Sequence, residues 1–429
     1  MAIGGAIGTG LFLGSGLAVN VAGPAVVLSY VIAGAISLLL GAALTEMAVA
    51  HPTAGSFGVY AGMYLSPFAG YAVRLSYWLM QVIATGGHLV AISIYMHYWF
   101  PGVPGALWVV AFAGALVYLN TRAVGVFGEF EYWLAMIKVV ALTLFIVLSA
   151  ALLSGVGGPA LGGTNYVAHG GFFPFGAAGV WLGVAFVIYS FIGVEIVGVT
   201  AGEARNPGET IPRAMGRMIV TLSAIYVAAI VLLIGVVPWT RIGVGESPFV
   251  TVLTRSGVPG AASVMNFVVI TAALSSANAN LYLITRALFS LARAGFVPVS
   301  LGAVTRRGAP VRALLVSSVG LAGAVLVRWR WPDWAYVWFF GVSLFGALLV
   351  WLMIFVTHLG FRHAYGRDRF ALPYRAPLAR SSSVAGALLV AAILATTWWV
   401  PGLRITLLAG PPWLGVLALG YWITRKTQA

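Results

Sequence analysis

The sequence predicts an all-α integral membrane protein of about twelve transmembrane helices, built as a five-plus-five inverted repeat with two peripheral helices. Three observations lead there. Charged residues are 7% of the 429 and the set AVILMFWYC is 61%, against roughly 25% charged in a soluble domain. Apolar runs recur from end to end, each near the ~20 residues that cross a bilayer. Two runs, five apart, are interrupted at mid-span. The composition excludes a soluble globular enzyme, and also a disordered chain, which needs low hydrophobicity and high charge. The absence of cysteine excludes a disulfide scaffold, a thiolate metal site and a Cys nucleophile, and says nothing about redox compartment.

The runs cover residues 2–20, 24–50, 75–99, 105–121, 129–153, 178–201, 215–238, 260–292, 311–330, 335–360, 383–400 and 404–424. Between them lie short connectors such as His51-Pro52-Thr53-Ala54-Gly55, Pro101-Gly102-Val103-Pro104 and Trp331-Pro332-Asp333. None holds a soluble domain, so residues 1–429 form one membrane domain. No cleavable signal pattern is expected, because the first run lacks a basic flank and a small-residue cleavage site. Lys and Arg concentrate in cytoplasmic loops. With a cytoplasmic N-terminus, sixteen of them fall inside, five outside, and Lys138 and Arg286 within helices. Both termini are therefore expected in the cytoplasm of a multi-pass inner-membrane protein. The formal charge of +14 is a topology signal; nucleic acid is not an expected partner, whereas the lipid bilayer is.

The first span carries Gly4, Gly5, Gly8, Gly10, Gly14 and Gly16. Each costs about 1 kcal/mol in a helix relative to Ala. Close helix packing is one reading, since Gly4/Gly8 and Gly10/Gly14 are GxxxG pairs. An unwound stretch lining a cavity is the other. The N–H groups of Gly8, Thr9 and Gly10 then face a carboxylate. The sixth span carries Gly193 and Glu195 among apolar residues. Interruptions five helices apart match an inverted repeat, in which amides of one break bind a carboxylate and carbonyls of the other an ammonium. A zwitterionic α-amino acid is the natural ligand.

These residues also resemble a family. Gly5-Ala6-Ile7-Gly8-Thr9-Gly10 resembles the unwinding motif of the amino acid–polyamine–organocation transporter superfamily. Ser190-Phe191-Ile192-Gly193-Val194-Glu195, with Ala201-Gly202-Glu203-Ala204-Arg205-Asn206-Pro207, is similar to the signature of its bacterial amino acid permease branch. Gly128-Glu129-Phe130-Glu131-Tyr132-Trp133, Arg306-Arg307-Gly308-Ala309-Pro310-Val311 and His358-Leu359-Gly360-Phe361-Arg362 add to the likeness, which runs nearly end to end. The resemblance implies repeats at 1–153 and 178–360, with peripheral helices in 383–424. It implies proton-driven amino acid uptake by alternating access. Carried over, Thr9 and Gly10 bind the carboxylate, and carbonyls of Ala6, Tyr189 and Ile192 accept from the ammonium. Tyr189 takes the aromatic gate position, Glu195 that of the sixth-span acid, and Lys138 that of a fifth-span lysine standing where sodium sits in relatives. Members begin with a tail and further helical residues before this glycine region, so the first repeat is expected to be N-terminally shortened.

Glu195, ionisable at mid-membrane, marks a pathway by default and is assigned to proton coupling over a role as a protonated interhelical tie. Lys138 is about 13 Å into its span, deep for snorkelling, and is assigned with it. His88, where many relatives carry an acid, reads equally as cavity wall or structural histidine; it tilts the substrate toward neutral or aromatic rather than cationic. Ser275 and Ser276 are weaker candidates, as partners of Lys138. Glu46 and Arg286 read as anchors or gate ion pairs rather than ligands. Glu129 and Glu131 are about 200° apart on a helix and make no metal pair; no metal site, cofactor or obligate protein partner is expected.

Amino acid import, by symport with protons and without sodium, is the leading function. Exchange stays within the same class. An intramembrane enzyme acting on lipid or prenyl substrates needs clustered acids, HExxH or a nucleophile elbow, none of which stands out here. A channel predicts continuous pore helices. No Walker sequence is present, so the chain does not itself use ATP.

Overall fold

The computed structural model describes residues 7–53, 55–122, 127–156, 160–243, 245–305, 308–365 and 372–428. Among them, helices account for the fold and no strand occurs. Nine helical runs are long and apolar enough to cross a membrane, and shorter apolar helices occur at Gly105–Thr121 and Arg380–Thr396.

The helices are α1 (Thr9–Phe12), α2 (Gly14–Ala22), α3 (Val26–Ala50), α4 (Ser56–Tyr64), α5 (Pro67–His97), α6 (Gly105–Arg122) and α7 (Phe127–Leu153). Then come α8 (Thr164–Val167), α9 (Gly176–Val187), α10 (Ile196–Val199), α11 (Pro207–Val236), α12 (Pro248–Arg255) and α13 (Ala261–Arg293). The last are α14 (Val311–Ser317), α15 (Val319–Arg330), α16 (Ala335–Tyr365), α17 (Ala379–Thr396), α18 (Arg404–Leu408) and α19 (Gly410–Gln428).

Several boundaries depart from the apolar runs. The helix expected at 75–99 begins at Pro67, and that expected at 215–238 begins at Pro207. Both open with proline in the first turn, where its missing N–H costs nothing. Ser66 also caps α5, its Oγ accepting from Ala69 N at 3.1 Å. Each opening carries charge within its first eight residues, Arg74 in one and Glu209 and Arg213 in the other. The span expected at 311–330 is two helices, with Ser318 between them bonding Leu314 O at 2.8 Å. The short α4 and α12 had no counterpart among the apolar runs. α12 is nevertheless well packed: Phe249 meets Phe12 and Phe145, with ring centroids 5.1 and 4.7 Å apart.

Gly23, at φ 61°, separates α2 from α3. A Cβ there would lie 2.3 Å from Pro174 Cγ, so both the turn and the contact require glycine. Two groups of helices follow from the packing. α2 and α3 lie against α9, and α3 also against α11. α5 forms the other centre, against α13, α15 and α16. On α7, Trp133, Leu144 and Val147 are more than 60% exposed, a lipid-facing stripe that water would not tolerate.

Candidate functional site

The two helical interruptions meet. Ile7 and Gly8 are non-helical and α1 starts at Thr9. The first N–H groups of a helix have no partner inside it, so amides face outward here. Opposite, α9 runs into a 3-10 turn at Ile188–Phe191. Ile192 is extended, at φ −63° and ψ 134°, and Gly193 has φ 107°. The helix resumes at Ile196. This break leaves carbonyls at the negative end of α9. Gly10 permits the two breaks to touch: a Cβ there would sit 3.0 Å from Tyr189 Cδ1 and 3.1 Å from Ser190 Cα.

A cavity of about 60 Å³ lies at this junction. It brings together Gly8, Thr9, Gly10, His88, Tyr189, Ile192 and Ser276 of the residues expected from sequence. Ala6 lies outside the described residues. Ser275 is buried but not in the lining, as adjacent helical residues point about 100° apart.

Thr9 is held at both ends. Its Oγ1 pairs with His88 Nδ1 at 2.9 Å, and its carbonyl accepts from Tyr336 OH at 3.1 Å. Asn280 Nδ2 lies 3.4 Å from His88 Nε2. His88 thus stands in the wall and is hydrogen-bonded there. Tyr189 OH donates to Ser343 Oγ at 3.3 Å, and its ring lies 4.3 Å from that of Phe340. Ser276 Oγ has no hydrogen-bond partner among the described residues.

Glu195 and Lys138 are both buried and both outside the lining. Glu195 Oε2 accepts from Gly193 N at 3.0 Å, and Gly193 is itself wall. Glu195 is therefore one residue removed from the cavity. Lys138 is fully buried on α7. Gln81, Asn280 and Ser343 are wall residues that sequence reasoning did not assign to the site; their one signal was a polar side chain inside an apolar span.

A helical membrane protein with a polar cavity where two helices break is a small-solute transporter by architecture. The amino acid permease family model matches residues 1–429, and the chain belongs to that family. It is 38% identical to the aromatic amino acid transport protein AroP of Escherichia coli K12, over 100% of this chain and 94% of that protein. It is 35% identical to the amino acid permease YtnA of Bacillus subtilis, over 98% and 92%. The protein is accordingly an amino acid permease and not an enzyme, and a multi-pass membrane protein.

Proposed function

We propose that this permease imports a neutral amino acid with an aromatic side chain, by proton symport and alternating access. The observation that carries the reading is the meeting of the two breaks around one cavity, with backbone donors at 8–10 and backbone acceptors at 189–192. Such a pair fits the carboxylate and ammonium common to every α-amino acid. The side chain then faces His88, Gln81, Ser276 and Asn280, a wall without a carboxylate to balance a cationic substrate. The relation to AroP supports an aromatic one.

At about 60 Å³ the cavity has room for a few waters, each needing about 10–15 Å³. Admitting an aromatic amino acid requires the walls to part, and moving one helix group against the other does this. Glu195 is assigned as the proton carrier: it sits beside the wall and accepts from Gly193, so its charge is linked to the geometry of the break. Lys138, buried on α7, is assigned as a fixed or titrating cation in place of sodium. The repeats are assigned to 1–153 and 178–360, and the termini to the cytoplasm.

Uptake of labelled amino acids into proteoliposomes, with and without an inward proton gradient, tests this. Accumulation of Phe, Tyr or Trp that collapses with an uncoupler is expected. Glu195→Gln should lower accumulation at least tenfold while changing Kd less than about threefold. Gradient-independent counterflow in the unaltered protein would instead make it an exchanger. Absence of any amino acid uptake would remove the reading.

A further inference from the structure

We infer that Glu46 is the hub of a latch that holds the cytoplasmic side of the cavity shut; the inference rests on the alternating-access reading above. Glu46 Oε2 accepts from three directions: His358 Nε2 at 3.0 Å, Arg362 Nη2 at 2.5 Å and Ala376 N at 2.9 Å. The Glu46 and His358 side chains are fully buried and that of Arg362 is 5% exposed. With the imidazole proton on Nε2, Nδ1 accepts from Ser383 Oγ at 2.6 Å. The carboxylate therefore faces a full cation and an oriented imidazole in a buried site.

The cluster's place in the fold makes it a latch. Glu46 is on α3, which packs with α2, α9 and α11, the group that carries both helical breaks, and also meets α16 and α17 directly. His358 and Arg362 are on α16, which packs along α5, α4 and α17. Ser383 is on α17, and Ala376 lies in the segment before it. Where α3 meets α16 and α17, one carboxylate thus gathers the polar contacts between the group with the breaks and the group with the His88 wall. A second tie lies five residues on. His51 Nε2 meets Tyr64 OH, and Tyr365 OH at 3.2 Å, while Tyr60 OH donates to His51 O at 2.7 Å. Both ties sit at the end of α3 that the Lys and Arg bias assigns to the cytoplasm. If the groups part at that end to release substrate, the Glu46 contacts must break. If they part at the opposite end, these contacts stay made.

The chain has no cysteine, so Ala84→Cys, in the cavity wall, is a lone thiol. Its reaction with a charged, membrane-impermeant methanethiosulfonate is measured from outside in intact cells and from the cytoplasmic face in inverted vesicles. Ala84→Cys alone should react from both faces, at rates that a bound amino acid changes. Reaction from one face only, insensitive to substrate, would remove alternating access itself. Adding Glu46→Gln should raise the cytoplasmic rate about tenfold, as a population shift of that size requires, and lower the outside rate. Unchanged rates at both faces, in a protein that stays monodisperse in detergent, would overturn the latch and make the cluster a static joint. Should Glu46→Gln not survive extraction, Ser383→Ala is read instead. It keeps the charged pair and removes only the support of His358, so a smaller rise of the same sign is expected, and none would overturn the proposal.

Discussion

Gly10 shows how narrowly the site is set. Its missing side chain is what lets the start of α1 touch the break after α9, because two of the three atoms nearest to an added Cβ, Ser190 Cα and N, are backbone. Backbone cannot rotate aside as a side chain can. Gly10→Val should therefore abolish substrate binding by isothermal calorimetry in a protein that still folds, whereas retained affinity would mean that the glycine serves packing only. The glycine run and the intramembrane charges were legible as residue types. Their partners were not: Thr9 takes its two bonds from His88 and Tyr336, 79 and 327 residues away. Nothing local in a sequence encodes such pairings.

At the level of single helices, the start of α5 is the instructive case. Apolar content placed it at 75, whereas the cap at Ser66 and the proline at 67 start it a full two turns earlier. Capping chemistry decides the boundary there because a helix start needs its first N–H groups satisfied. Ser66→Ala should cost about 1 kcal/mol, read as a lower thermal midpoint in detergent, with transport rate per folded molecule unchanged. A loss of transport at unchanged midpoint would give Ser66 a functional role that the cap alone does not explain. The broken sixth span was legible as an interruption. Its form, a 3-10 turn, an extended Ile192 and a positive-φ Gly193, came only from the fold.

For the molecule as a whole, charge distribution decides orientation and packing decides the cavity. Sixteen basic residues on one set of connectors against five on the other predict that both ends of the chain are inside. A C-terminal reporter active only in the cytoplasm should be active, and one active only in the periplasm should be silent; the reverse would invert the topology and move the proposed latch to the outer face. The helices that gather around Glu46 come from residues 46, 358, 362, 376 and 383. From sequence, Glu46 read as an anchor or gate ion pair because it lies near a helix end, and its partners could not be named. In hydrocarbon surroundings a lone carboxylate is costly, so a buried one implies partners without saying which.

The sequence by itself determined the environment, the helical class and the family, because each rests on composition, run length and local motifs, all of which are additive along a chain. It also determined where two helices break, since glycine and a charge inside an apolar span carry their own local penalty. Only the tertiary structure decided that these breaks enclose one cavity with His88 and Ser276, that Glu195 stands behind its wall, and that Glu46 sits between two helix groups. Those facts depend on which helices pack together, and packing is a property of surfaces brought together from hundreds of residues apart.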